Sequence, residues 1–263
     1  RFPIYRKIML LISIIILAVP VSSANNELLK KARTLHRNGQ FDEAIDAYTS
    51  YLTKPAEEDI DLAMYTDALV QLMNTFQSKG DPDGCISALQ EVFESSPTLQ
   101  NEYLRDFYSV MGYALSRTEK MKQAEETTLK ALTLPLHNAT PERYFRDYAY
   151  AAAVFYSNPD YQNEVIDWCQ EALVQARSCK NTSGEQWVMS MLGSLYKRTG
   201  NLNSALELFQ RSIEESRSRE DNLGVLNSLS SLIDLFLYWN IPEYADMYAS
   251  EAVSLEKLIS NKN

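Results

Sequence analysis

From Asn25 onward apolar residues recur at steps of three and four, interrupted by short polar stretches, with no strand-like alternation between them. In the clearest segment Leu202, Ala205, Leu206, Phe209 and Ile213 fall at offsets 0, 3, 4, 7 and 11, which lines one face of a helix with apolar groups. Val188, Met191, Leu192, Leu195 and Tyr196 do the same just upstream. Between the two lies Lys197-Arg198-Thr199-Gly200-Asn201, where Gly200 can take the left-handed conformation that stops a helix. The pattern predicts a helical hairpin, and Ser183 followed by Gln186 predicts a capping box at its start.

This hairpin recurs. The small or medium residue early in each second helix is Ala44, Cys85, Ala124, Val165, Ala205 and Ala245, at intervals of 41, 39, 41, 40 and 40. A regular period in this range marks a solenoid, because a helix pair cannot bury its face alone and stacked pairs share one core. The sequence therefore predicts an all-α fold of about six helix-turn-helix repeats over residues 25–263, one domain with no linker to a second.

The segment LGSLYKRTGNLNSALELF, with Leu192, Gly193, Tyr196, Gly200, Ala205 and Phe209 in spaced positions, resembles the tetratricopeptide repeat family. Partial matches hold the register elsewhere: Ala32, Leu35, Gly39, Ala44 and Tyr48 in the first unit, and Gly112, Leu115, Ala124 and Ala131 in the third. The departure is length, about 40 residues per unit against 34 for the family, a spacing shared with repeats of the HEAT and armadillo kind. Longer helices and loops such as 53–59 and 135–140 are expected to absorb the difference. The resemblance implies a right-handed α-solenoid in which Ala32, Ala44, Gly112, Ala124, Gly193, Tyr196, Ala205, Phe209 and Ala245 pack the helices closely. It also implies a concave binding groove lined by the first helix of each hairpin. On that surface Asn74, Tyr113, Arg117, Tyr150, Trp187 and Arg198 are the candidate anchors, since aromatic and Arg side chains bury large areas while keeping a polar tip. Gln71, Val154, Met191 and Asp234 are placed near the same groove. Tyr144, Phe145, Tyr148, Tyr150, Phe155 and Tyr156 crowd one first helix, both faces of which are not expected to be core.

Ahead of the repeats, Arg1, Arg6 and Lys7 precede the apolar run Ile8–Val19, followed by small residues at Ser22 and Ala24. This is the pattern of a secretory signal peptide over residues 1–24, cleaved after Ala24. Twelve apolar residues fall short of the about 20 that a helix needs to cross the hydrocarbon core. The sequence thus predicts an exported, periplasmic chain, with membrane attachment only through a helix downstream of Asn263. Cys169 and Cys179, ten residues apart on one helix, cannot reach each other, and Cys85 is expected to be a buried free thiol.

A formal charge of -10 lacks the phosphate-neutralising surface that nucleic-acid binding requires. There is no phosphate-binding glycine loop, nucleophile elbow, HExxH or paired CxxC, and the two histidines are His36, expected on the exposed side of the first helix, and His137 in a loop. No catalytic centre, cofactor or metal site is therefore predicted. The leading expectation is a non-catalytic scaffold for a protein or peptide. Its organisation resembles the extracytoplasmic sensory region of membrane-bound Bacteroidetes histidine kinases and related regulators, implying a role in signal transduction. The alternative is a free periplasmic adaptor for envelope assembly or secretion, and a carbohydrate-binding module or enzyme ranks third.

Overall fold

The computed structural model describes residues 21–53, 61–95, 100–137 and 139–260. The secretory signal expected over residues 1–24 falls outside these except for its last residues, which begin the first helix at Val21. Among the described residues there are twelve α-helices, one 3-10 turn and no strand. They form hairpins in chain order. The first three pair α1 (Val21–Arg37) with α2 (Phe41–Thr53), α3 (Leu62–Lys79) with α4 (Pro82–Ser95), and α5 (Gln100–Ser116) with α6 (Met121–Thr133). The next three pair α7 (Pro141–Phe155) with α8 (Gln162–Ser178), α9 (Thr182–Arg198) with α10 (Leu202–Ser218), and α11 (Asn222–Tyr238) with α12 (Pro242–Ser260). The chain divides into two compact units, Arg1–His137 and Asn138–Asn263, with three hairpins each.

One backbone device closes six of the twelve described helices. At the end of α9 the Asn201 N–H donates to the Tyr196 carbonyl (2.8 Å) and the Gly200 N–H to the Lys197 carbonyl (3.1 Å). These are the paired bonds of a Schellman turn, which satisfy the orphan carbonyls of the last turn. The same pair ends α1 at Gly39, α3 at Gly80, α8 at Lys180, α10 at Glu220 and α11 at Asn240, and all six residues have φ between 56° and 79°. In the second unit the helices α8 to α11 are each 17 residues long and the connections 179–181, 199–201 and 219–221 are three. Helices and turns of that length fill the 40-residue period, so there the excess over 34 residues lies in longer helices and not in loops.

The next helix then starts on a fixed cap. Asn181 accepts from the Gly184 N–H (2.9 Å), and Asp221 from the Gly224 N–H (3.0 Å). This corrects the expected capping box at α9: the cap is Asn181 and not Ser183, because the left-handed Lys180 ends the preceding turn so that the helix starts two residues earlier, with the Asn181 side-chain oxygen over its first turn. Gln186 is drawn away, its side-chain amide donating to Asp221 (2.6 Å) and Ser216 (2.9 Å).

Packing follows the small-residue register. Ala32, Ala44, Ala124, Ala205 and Ala245 are buried, and in the second unit Ala205, Phe209, Ile213, Val225, Leu229, Leu232, Phe236 and Ala245 form one cluster with half-buried Tyr196 against it. Gly193 and Gly112 have no room for a side chain. A methyl on Gly193 would come within 2.3 Å of the Phe209 ring, and one on Gly112 within 2.3 Å of the Thr128 hydroxyl. In the aromatic-rich α7, Ala149, Tyr150, Ala151 and Ala152 are consecutive and all buried, so this stretch is enclosed on nearly every side, while Tyr144, Phe145 and Tyr148 toward its start are half-buried. Its alanines let neighbours approach, while Phe155 packs on Tyr161 (4.4 Å between ring centroids) and Trp168 (5.6 Å).

These two features give opposite signs on substitution. Gly193→Ala is expected to lower stability by about 1–3 kcal/mol through overpacking against Phe209. Lys180→Gly and Glu220→Gly should each raise it by about 1 kcal/mol, by relieving a left-handed conformation that costs a side chain energy. Urea unfolding followed by circular dichroism reads both; a loss of stability in the glycine variants would contradict the turn geometry.

Candidate functional site

Each unit carries an open cleft. In the second unit a cleft of about 490 Å³ runs between the first helices α9 and α11. Ser183, Gln186, Trp187 and Ser190 of α9 form one wall, Asn227, Ser230 and Ser231 of α11 the other, with Phe209, Ser212 and Ser228 at the floor. The wall residues recur at three- and four-residue steps, which aligns them along the facing sides of the two helices. The hydroxyls of Ser230 and Ser231 donate back to the carbonyls of Leu226 (3.0 Å) and Asn227 (3.1 Å). What they turn outward is therefore acceptor lone pairs. Below them the buried Ser212 and Ser228 hydroxyls bond each other at 2.8 Å. Trp187 is the large aromatic of the cleft, half-buried and edge-on to Tyr150 with centroids 6.3 Å apart. A Lys197–Asp234 ion pair ties α9 to α11 further along the same two helices.

The first unit has a cleft of about 560 Å³ between the second helices α4 and α6, floored by α5. Phe93, Phe107, Tyr108, Met111 and Leu115 give it apolar surface, and Gln90, Glu94, Gln123 and Glu126 a polar rim. Phe93 stacks on Phe107 at 4.7 Å, and the Lys130 ammonium lies 4.1 Å from the Tyr108 ring centre while donating to its hydroxyl.

The six groove candidates distribute unevenly over these surfaces. Trp187 lines the second cleft. Tyr150 is 8% exposed, so it supports Trp187 from within the packed interior and does not present itself to a ligand. Val154 beside it is buried as well. Arg198 reaches the Tyr156 carbonyl and stacks over the Tyr156 ring at 4.7 Å, which ties the end of α9 to the end of α7. Asn74 and Tyr113 are half-buried on α3 and α5 and Arg117 is exposed in the following turn; none lines the first cleft. His36 is half-buried, not exposed: its Nδ1 meets the Thr75 hydroxyl at 2.8 Å and its ring lies edge-on to Phe41. Because Thr75 gives its one proton to the Gln71 carbonyl (2.6 Å), His36 Nδ1 must be the donor. The apolar periodicity does not single out Asn227, Ser230 and Ser231; the signal for them is a run of small polar residues on a first helix that is otherwise leucine-rich.

Charge chemistry concentrates at hairpin junctions. Glu185 of α9 is buried, and it accepts from Arg177 of α8 (2.6 Å) and Arg219 (3.0 Å), while Glu215 accepts from Arg177 (3.3 Å) and Arg211 (2.8 Å). Burial pushes the Glu185 carboxyl up, but the two guanidiniums outweigh it and hold it below the usual carboxylate value. Asp221 is also held low, first by the Gly224 N–H it accepts. The thiols of Cys85 and Cys169 are pushed up to about 12 by burial, so they stay protonated and unreactive. No cluster of three or more His, Cys, Asp or Glu side chains that could hold a metal ion occurs among the described residues. No helix among them is long and apolar enough to cross a membrane.

Residues 188–223, spanning α9, α10 and the start of α11, match a family model. That model describes a tetratricopeptide repeat. Among solved structures the chain is similar to BtubC (BKLC) from P. vanneervenii, with a TM-score of 0.62 at 15% identity over 90% of both chains. It is similar also to a thermophilic TPR protein of Thermus thermophilus, with a TM-score of 0.51 at 19% identity over 80% of this chain and 99% of that one. At such identities the likeness is one of fold: consecutive helical hairpins of the tetratricopeptide kind. No curated protein matches the sequence.

Folded-state carboxyls below their ordinary value add stability above the unfolded pKa and lose it as pH falls through the folded one. The chain should therefore lose stability between about pH 5 and pH 3. Glu185→Gln should weaken that dependence and cost about 2 kcal/mol at neutral pH, less than a fully buried pair because Arg177 and Arg219 stay about a third exposed. Urea titrations at pH 7 and pH 4 on both proteins measure it, and an identical pH slope would remove the junction pair as its cause.

Proposed function

We propose that the chain is a non-catalytic, protein-binding scaffold, and that the cleft between α9 and α11 takes an extended peptide segment of its partner. The observation that carries this is the cleft's make-up: one half-buried Trp beside a row of hydroxyl acceptors and the exposed Asn227. A bound peptide backbone supplies the N–H donors that Ser230 and Ser231 lack, and Trp187 offers a flat apolar anchor of the kind that dominates binding energy. Because Trp187 rests on Tyr150, its ring is held in place before the ligand arrives, which limits the ordering cost of binding. The buried, unreactive thiols and paired carboxylates serve recognition better than turnover.

The N-terminal charge and apolar pattern of residues 1–24 supports an exported protein, and with it a sensory region of an envelope regulator. Fusing residues 1–30 to an export-dependent phosphatase reports on that part directly.

Peptides selected from a random 12-residue phage library on the wild-type protein test the cleft. They should bind Trp187→Ala at least tenfold more weakly and protect α9 and α11 amides from hydrogen exchange. Failure to enrich any peptide, or equal binding by Trp187→Ala, would overturn the assignment of this cleft.

A further inference from the structure

The cleft between α9 and α11 directs its own protons away from the space it encloses. Gln186 donates both amide hydrogens elsewhere, to Asp221 (2.6 Å) and Ser216 (2.9 Å). A carboxylate only accepts, so the Gln186 nitrogen must face Asp221, and its carbonyl oxygen is left over. At the floor Ser228 gives its one proton to the Gly224 carbonyl (2.9 Å). In the 2.8 Å pair with Ser228 the donor is therefore Ser212, whose oxygen keeps both lone pairs. Ser230 and Ser231 donate in the same way within their own helix. The lining thus carries a row of oxygens that accept without donating, while the groups free to donate, the Ser183 and Ser190 hydroxyls and the Asn227 amide, are exposed on its walls. Ser212 lies one turn from Ser216 on α10, so the Gln186 and Ser212 oxygens follow each other along the cleft beside Trp187.

We infer, on the reading of this cleft as a peptide site, that it takes an arginine of the bound segment, with the guanidinium against the Trp187 ring and its N–H groups on the Gln186 and Ser212 oxygens. Such a wall is satisfied by a group that only donates; an amide or carboxylate oxygen placed there meets lone pairs and stays unpaired. The guanidinium is donor-only, holds five N–H groups in one plane and has a flat face that suits an indole, whereas an ammonium matches the acceptors without the plane. No residue of the lining carries a formal charge. Around it, Lys197 and Asp234 pair farther along, Arg219 is held on Glu185 and Arg198 on Tyr156, and Arg143, Arg146 and Asp147 on α7 are buried outside the cleft. Asp221 stands directly behind Gln186. Its bonds are to neutral groups, the Gly224 N–H and the Gln186 amide, and Arg219 acts on it only from farther off. Through that bond the Asp221 charge polarises the Gln186 amide and strengthens its oxygen as an acceptor for a cation.

Peptides that the 12-residue library yields and that depend on Trp187 should carry arginine above its frequency in the library. One of them, made synthetically and labelled, is then compared with a copy whose arginine is replaced by citrulline, which keeps the shape but has an oxygen in place of one NH2 group and no charge. Fluorescence anisotropy on the full chain should show the citrulline peptide binding at least tenfold more weakly, with a lysine version in between. Ser212→Ala should weaken the arginine peptide severalfold and leave the citrulline peptide unchanged. Because that substitution alters no charge, it separates the cleft from a general attraction of basic peptides to a chain of net charge -10. The comparison of peptides on the wild-type protein does not depend on how well the variant folds. Equal binding of the arginine and citrulline peptides would overturn the inference, as would an equal loss of both on Ser212→Ala. Trp187-dependent peptides without arginine would also overturn it while leaving the cleft's assignment standing, whereas a library that yields no peptide removes both.

Discussion

A helix that must reverse direction after 17 residues has to dispose of four unpaired N–H groups at its start and four unpaired carbonyls at its end, and in this protein a Schellman turn meets the second need at six of the twelve described helices. The turn demands one residue in the left-handed region. Once that residue is in place, the next side chain is set to cap the following helix, as Asn181 and Asp221 do. From α8 to α11, helix length, turn length and cap together give the 40-residue step. Arg177 reaches Glu185, Arg219 reaches the same carboxylate, and Gln186 reaches Asp221 because the connections 179–181, 199–201 and 219–221 are of one length.

Those junctions are unusual in relying on charge where packed hairpins could rely on leucine alone. An isolated buried carboxylate would be costly, and Glu185 is tolerated because two guanidiniums close on it from neighbouring connections. Such a network penalises slippage by one helical turn, since a displaced Glu185 would lose both partners at once. Apolar surfaces without this directional demand would tolerate more than one register. The cleft between α9 and α11 follows from side-chain size: the small hydroxyl side chains that line it leave the space between the two first helices unfilled, while Lys197 and Asp234 tie them farther along.

The exposed surface of the sixth hairpin departs from this economy. Where the fifth hairpin has Gln186 and Lys197, the sixth has Leu226 and Leu237, and Leu237 is exposed. Together with the hydroxyl-lined cleft, the second unit offers two surfaces of different chemistry, one polar with an aromatic anchor and one apolar.

Much of the helical architecture was legible in the chain because two signals are local. Apolar spacing at three and four residues depends only on helix geometry, and the recurrence of small residues at Ala44, Ala205 and Ala245 depends only on how closely two helices approach. Gly39, Gly80 and Gly200 announced their turns for the same reason. Lys180 and Glu220 did not, because the left-handed conformation there is fixed by the paired backbone bonds of the turn and not by intrinsic preference; Asn240 tolerates it as a residue type. Side-chain roles were harder to read. Tyr150 and Trp187 look alike as aromatics on first helices, yet one is closed in by alanine-lined neighbours and the other opens on a cleft, a difference that depends on residues far away in the chain. The sequence by itself determined helix, period and the need for close contact at Gly193. Only the tertiary structure decided which aromatic faces solvent, which carboxylate is buried between arginines, and which leucines are left uncovered, because each depends on neighbours about 40 residues away that no local pattern specifies.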